Sequence, residues 1–165
     1  MSWAALVLAL VALERIVELL YAARNTQRLL ARGAVEIGAR HYPLIVLLHL
    51  SWLVAIFAFA TPGEPPLWSW IAIYLAVQAA RLWVILSLGP YWTTRIITLP
   101  DAPLMKRGPY RFLRHPNYAV VIAEIAILPL AFREPLIALL FSALNLALLS
   151  WRVREENAAL ALRER

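Results

Sequence analysis

Five apolar runs separated by short polar breaks organise the chain. Residues 2–23, 43–60 and 67–88 reach or approach the ~20 mostly apolar residues that a helix needs to cross a hydrocarbon core. After a polar stretch at 89–117 come two shorter runs, 118–132 and 135–151, separated only by Arg133 and Glu134. At ~1.5 Å rise per residue these span roughly 22–26 Å, less than the ~30 Å core. The pattern predicts either short crossings that extend into their flanks or a helical hairpin that does not fully span. Residues 152–165 turn charged and predict a C-terminal helix continuing out of the last run. Thr61-Pro62-Gly63-Glu64-Pro65-Pro66 is a breaker between two helices. With no internal repeat and no long linker, residues 1–165 are expected to form a single all-α integral membrane domain. It should have about five transmembrane helices, the last two a short hairpin, with a polar loop at 89–117. The first run carries Glu14, Arg15 and Glu18 and is read as a span rather than a cleaved leader.

Composition agrees. Of 165 residues, 62% are hydrophobic and 16% charged, and mean hydropathy is +0.69. An ordinary soluble domain is about 45–50% apolar and about 25% charged, so too few charges are present to cover a water-facing surface. A soluble enzyme and a disordered chain are both excluded by this composition. The absence of cysteine excludes disulfides, thiolate metal sites and cysteine nucleophiles. A net charge of +6 would suit nucleic acid, but the basic residues are distributed by topology. Of 16 Lys and Arg, 13 fall in residues 24–40, 95–114 and 152–165. With five crossings these segments share one face, which the positive-inside rule makes cytoplasmic. The expected partner is therefore a bilayer, not nucleic acid. The expected location is a bacterial cytoplasmic membrane, with the N-terminus outside and the C-terminus and site inside.

Glu14, Arg15, Glu18, Arg81 and Glu124 lie within spans, where ionisable groups are expensive and face partners or a cavity. Two readings stand: a polar lining for the head of a lipid substrate, or helix-to-helix pairing of Arg81 with Glu124 or Glu18. Gln78 and Asn145 read as interhelical hydrogen-bond donors, and His49 as a structural histidine. Trp68, Trp70, Trp92 and Trp151 stand near span ends as interfacial residues. The histidines at 41, 49 and 115 lack metal-ligand spacing, so no metal is expected.

The candidate chemistry lies in the loop. Pro90, Pro100, Pro103 and Pro109 bar a continuous helix before Pro116. A loop this long is usually functional or disordered, and its aromatic residues argue for order. Gly108 permits close backbone approach and Pro109 stiffens the chain beside it. Tyr110 and Tyr118 offer aromatic faces to an adenine or a sulfonium cation. His115 falls at the N-terminal boundary of the helix that Pro116 opens, where free N–H groups bind a carboxylate. Arg152 and Glu156, four residues apart, share one face of the C-terminal helix.

Gly108-Pro109-Tyr110, then Arg114-His115-Pro116-Asn117-Tyr118, an apolar hairpin and an Arg–Glu helix together resemble the isoprenylcysteine carboxyl methyltransferase family. Glu14-Arg15, Glu18-Leu19, Arg24-Asn25, Gly33, Glu36, His41-Tyr42-Pro43 and His49 extend the resemblance to a bacterial branch. That branch includes members thought to methylate alkylresorcinols and alkylpyrones made by type III polyketide synthases. The resemblance implies a membrane methyltransferase that uses S-adenosylmethionine, releases S-adenosylhomocysteine and takes a lipophilic acceptor from the bilayer. It implies a cofactor site of Ala102, Pro103, Leu104, Met105, Gly108, Tyr110, Arg114, His115, Pro116, Asn117 and Tyr118. Glu156 would hold the cofactor's amino group, and Arg152 would face the acceptor oxygen. His115 or Glu156 would serve as base if the acceptor is a phenol. The family often carries two adjacent acids in this helix. Here either Glu155 and Glu156 form the pair, or Glu156 leads and Asn157 replaces the second, which keeps Arg152 four residues before the first acid. Oligomeric state is not legible. The competing readings are an NADPH-dependent membrane reductase related to sterol reductases, or a nonenzymatic membrane scaffold.

Overall fold

The computed structural model describes residues 2–99 and 106–161. Five helices make up most of it: α1 (Trp3–Leu30), α2 (Tyr42–Phe59), α3 (Trp68–Leu88), α4 (Pro116–Ala131) and α5 (Pro135–Ala161). The one sheet among these residues is a small antiparallel pair, β1 (Val35–Ile37) with β2 (Ile96–Thr98), in which Glu36 faces Ile97. Three stretches, Ala39–Phe59, Trp68–Tyr91 and Pro135–Ala158, are long and apolar enough to cross a membrane. Their outer faces are as apolar as their inner ones, with Leu47, Val54, Phe59, Leu75, Leu86 and Leu139 all exposed. Such a surface is solvated by acyl chains rather than by water. The protein is an all-α membrane protein.

The helices differ in extent from the apolar runs. α1 continues beyond residue 23 to Leu30 because its polar last turns find partners. The buried Asn25 amide donates to the carbonyls of Gly89, at 3.1 Å, and Trp92, at 2.9 Å. The last two runs resolve unequally. α4 opens at Pro116 and has 16 residues, about 24 Å. α5 has 27 residues, about 40 Å, so it is long rather than short. The helix expected at 152–165 is, as far as Ala161, the end of α5 and not a separate element. Good helix formers follow Trp151 and nothing interrupts them.

Both tight connections lie at one end of the bundle. Leu67 N–H donates to Ala131 O at 2.8 Å, and Arg133 donates to Pro65 O at 3.0 Å. Trp3, at the start of α1, meets the Trp68 ring edge-on there. The β1–β2 pair and the long connector from α3 to α4 are at the opposite end. Trp52, Ile56, Ile125, Leu128 and Phe141 form the centre of the apolar core between α2, α4 and α5.

The intramembrane charges pair across three helices. Arg81 of α3 grips Glu18 of α1 through Nε at 2.5 Å and Nη2 at 2.7 Å, and reaches Glu124 of α4 through Nη1 at 3.2 Å. Arg15 donates to Glu18 at 2.9 Å and to Glu124 at 3.0 Å, and Gln78 adds a bond to Glu124 at 2.9 Å. Arg81 therefore takes both of its expected partners. Glu14 stands at the rim, 3.6 Å from Arg15, beside an apolar groove between α1 and α3 lined by Leu10, Leu13, Val17, Leu82 and Ile85.

Glu124, like Glu18, is shared by both arginines, and of the two it is the more buried, with a side chain only 5% exposed. Removing one partner of a buried pair strands the other charge, at a cost of about 3–5 kcal/mol. Glu124→Leu should therefore lower the unfolding midpoint in detergent by that much. Glu64→Ala, which breaks the exposed pair with Arg133, should cost less than about 1 kcal/mol. Equal effects of the two substitutions would remove the network from any account of stability.

Candidate active site

The connector from α3 to α4 is held against α3 before it reaches the site. Gly108 adopts φ +57°, and a Cβ there would overlap the Ser87 side chain, so only glycine fits. Next to it, Arg107 Nε–H donates to Ser87 O at 2.8 Å. The buried Pro109 then sets a single helical turn, Gly108–Arg111. That turn carries Tyr110 inward to where it feels the charge of Glu156. Burial first, and the Glu156 carboxylate second, push the Tyr110 phenol well above its ordinary value of 10.

Four residues on α4 and the end of α5 converge with Tyr110. His115 occupies the N-cap position of α4, and Tyr118 stands one turn on, its ring stacked on His115 at 5.3 Å between centroids. The Tyr118 hydroxyl donates to Glu156 and accepts from Arg152 Nε–H at 2.9 Å. His115 Nδ1 lies 3.5 Å from the Glu156 carboxylate, and Nε2 lies 3.1 Å from Asn157 Oδ1. Arg152 is 7% exposed, and its Nη2 donates to Thr94 O at 2.8 Å. A buried guanidinium normally has a carboxylate against it. Arg152 makes no ion pair with any described residue: a phenol oxygen and a backbone carbonyl serve it, and Nη1 has no described acceptor. The arrangement can receive an anionic oxygen at the arginine and a cation at Glu156, with aromatic faces between them.

The structure thus brings together His115, Tyr118, Arg152 and Glu156, with Tyr110 beside them. Of the two registers for the second acid, Glu156 and Asn157 face His115, while Glu155 accepts from Trp151 Nε1–H at 3.3 Å on another side. Pro116 is buried at the first position of α4, and Asn117 Oδ1 is buried without a partner. Arg114 is exposed. Ala102, Pro103, Leu104 and Met105 lie outside the described residues.

Sequence reasoning missed the support behind Arg152. Thr94 presents its carbonyl there because its hydroxyl lies 3.1 Å from the Tyr42 hydroxyl. Arg95 stacks over the Tyr42 ring at 4.5 Å and binds Glu36 at 2.8 and 3.0 Å. A signal existed: Ile96-Ile97-Thr98 is a β-branched triplet, Val35 and Ile37 are β-branched on either side of Glu36, and opposite charges at Glu36 and Arg95 accompany them. Among the described residues, no three His, Asp or Glu side chains are grouped to hold a metal ion.

Comparison with known proteins bears on this site directly. Residues 70–162, from α3 through the site-bearing end of α5, match the model of the isoprenylcysteine carboxyl methyltransferase family. The chain is 39% identical to the uncharacterized protein YpbQ of Bacillus subtilis (strain 168), over 97% of this chain and 96% of that one. It is 28% identical to an uncharacterized protein of Haemophilus influenzae, over 84% of this chain and 83% of the other. No solved structure matches it. The matched region is more than half the chain and contains every residue of the cluster around Tyr118, so the protein belongs to the isoprenylcysteine carboxyl methyltransferase family, a family of membrane methyltransferases.

Proposed function

We propose that the protein is an S-adenosylmethionine-dependent O-methyltransferase acting on a lipophilic acceptor. That acceptor would be an isoprenylcysteine-like carboxylate, or the hydroxyl of a phenolic lipid or alkylpyrone. The site would face the cytoplasm of a bacterial cytoplasmic membrane, with the N-terminus outside. Support for the orientation comes from the basic residues, which concentrate at the site-bearing end. The observation that carries the reading is Arg152, a buried cation with no carboxylate partner among the described residues, one phenol away from Glu156.

The residues fit the cofactor. Glu156 has the charge to hold its amino group, the Tyr110 and Tyr118 rings suit a sulfonium, and Asn117 Oδ1, next in sequence to Tyr118, is a buried acceptor with no partner among the described residues. When bound, S-adenosylmethionine supplies an electrophilic methyl group. The chain's own contribution is alignment: Arg152, fixed on two sides by Tyr118 and Thr94, orients the acceptor oxygen for in-line attack. Orientation of this kind is worth up to ~7–11 kcal/mol in ideal cases. A carboxylate or acidic hydroxypyrone arrives ionised and needs no base. A phenol, with pKa near ~10, must lose a proton, and His115 or Glu156 is placed to take it.

Calorimetric titration of the detergent-purified protein with S-adenosylhomocysteine tests the reading. Binding should be in the micromolar range and weaken at least about tenfold, ~1.4 kcal/mol, in Tyr110→Ala and in Glu156→Ala. Folded protein that ignores S-adenosylhomocysteine but is thermally stabilised by NADPH would be a reductase instead. Arg152→Ala should split the two properties. Binding of S-adenosylhomocysteine should stay within about threefold, while methyl transfer falls by about 10²-fold or more, as for other oriented hydrogen-bond donors. Parallel loss of binding would place Arg152 at the cofactor rather than at the acceptor.

A further inference from the structure

The connector that supplies Tyr110 and His115 has a second face. Between those two residues stand Arg111, Phe112, Leu113 and Arg114, all exposed. Phe112 is 76% and Leu113 52% accessible, the most exposed apolar pair among the described residues of the connector. Lys106 and Arg107 precede them, also exposed. From Lys106 to Ala123 the sequence contains four cations of the Lys/Arg type and no acid. None of the four makes an ion pair with a described residue; Arg107 uses its Nε–H on the Ser87 carbonyl. An apolar pair bracketed by arginines without a described ion-pair partner is costly in water, and none of the hydrogen bonds of the site involves it.

The position of this face identifies its occupant. Gly108 is pressed onto Ser87 and Trp83 in the last turns of α3, so the turn Gly108–Arg111 is fixed at the end of a membrane span. Trp83 and Leu86 on the same end of α3 are exposed to lipid, and Phe112–Leu113 continue that apolar flank. α4 re-enters the bilayer at Pro116, three residues after Leu113. The pair therefore lies at the boundary between acyl chains and headgroups, where aromatic side chains partition favourably. Unpaired arginines at that depth meet phosphate oxygens, which guanidinium groups bind bidentately.

We infer that the segment Lys106–Arg114 is a binding surface for anionic phospholipid. Phe112 and Leu113 insert among the acyl chains, and Lys106, Arg111 and Arg114 take the phosphates. This holds whatever reaction the site performs. It also ties lipid composition to the site, because the same segment ends in Tyr110 on its inner side and leads into His115.

The protein contains no cysteine, so Phe112→Cys and Leu113→Cys each provide a unique attachment point for a nitroxide. The full-length protein is reconstituted in nanodiscs of phosphatidylcholine alone or mixed with phosphatidylglycerol. Collision rates are measured with oxygen, which concentrates in the bilayer, and with a water-soluble nickel chelate. Leu139→Cys on the outer face of α5 and Thr61→Cys in the opposite turn provide the lipid and water references, and also report that the fold is intact. In phosphatidylglycerol discs the labels at 112 and 113 should collide with oxygen and be shielded from nickel. Nickel collisions should rise severalfold in pure phosphatidylcholine, and likewise in phosphatidylglycerol discs when Arg111→Gln and Arg114→Gln are combined. Nickel-accessible labels in every disc would overturn the proposal. Equal shielding in both lipids would overturn the anionic recognition. Shielding from both reagents would mean that protein, such as a second copy of the chain, covers this face.

Discussion

Arg15, Glu18, Arg81 and Glu124 must neutralise one another, because at bilayer depth no water is present to do it. That constraint fixes α1, α3 and α4 relative to each other, since each contributes a charge that the others satisfy. It also divides the bundle. α2 and the membrane part of α5 carry no Asp, Glu, Lys or Arg and are held by apolar packing around Trp52, Ile56 and Phe141. The electrostatic half is the half that carries the long connector: α3 ends where the connector begins, and α4 begins where it ends. A helix-to-helix register set by bidentate bonds in the membrane thus becomes the spacing between Ser87, which anchors Gly108, and His115, which opens α4.

Beyond the membrane the same problem is solved differently. The two connectors are joined by backbone pairing and by aromatic–cation contacts, with Arg32 over Tyr91 and Arg95 over Tyr42. β1 pairs with β2, Glu36 binds Arg95, and Arg95 covers Tyr42, whose hydroxyl meets Thr94. The continuous α5 lies against this assembly. Trp151 packs on His41, and Arg152 donates to Thr94 O. Gly38 is required there, because at φ +62° a Cβ would come within 2.6 Å of the His41 ring. Arg152 is consequently placed by residues from three separate stretches of the chain, and none of them is its sequence neighbour.

This distribution explains what could be read from the chain and what could not. The apolar runs announce five helices, and the basic residues announce which end carries the polar chemistry. Tyr110, His115, Tyr118, Arg152 and Glu156 draw attention because their side-chain chemistry is unusual in so apolar a sequence. The extent of α1 was not visible from hydropathy, whereas the continuation of the last run into a charged helix was read from the Arg152–Glu156 spacing. A run ends where charge begins, whereas a helix ends where a breaker stands, and neither Arg24 nor Arg152 is a breaker. The strand pair was hidden because three residues are too few for a period-two pattern to register. Thr94 was hidden for a deeper reason. It acts on Arg152 through a carbonyl that every residue possesses, so only its placement by Tyr42 makes it special.

Asn157 gives the His115 environment a property that an acid would not. His115 stands between the Glu156 carboxylate on its Nδ1 side and the Asn157 amide on its Nε2 side. A carboxylate at position 157 would only accept hydrogen bonds, so both ring nitrogens would face acceptors. An amide can present its oxygen to Nε2–H or, turned over, its amino group to a bare Nε2. The amide therefore stays bonded to His115 whichever ring nitrogen carries the proton.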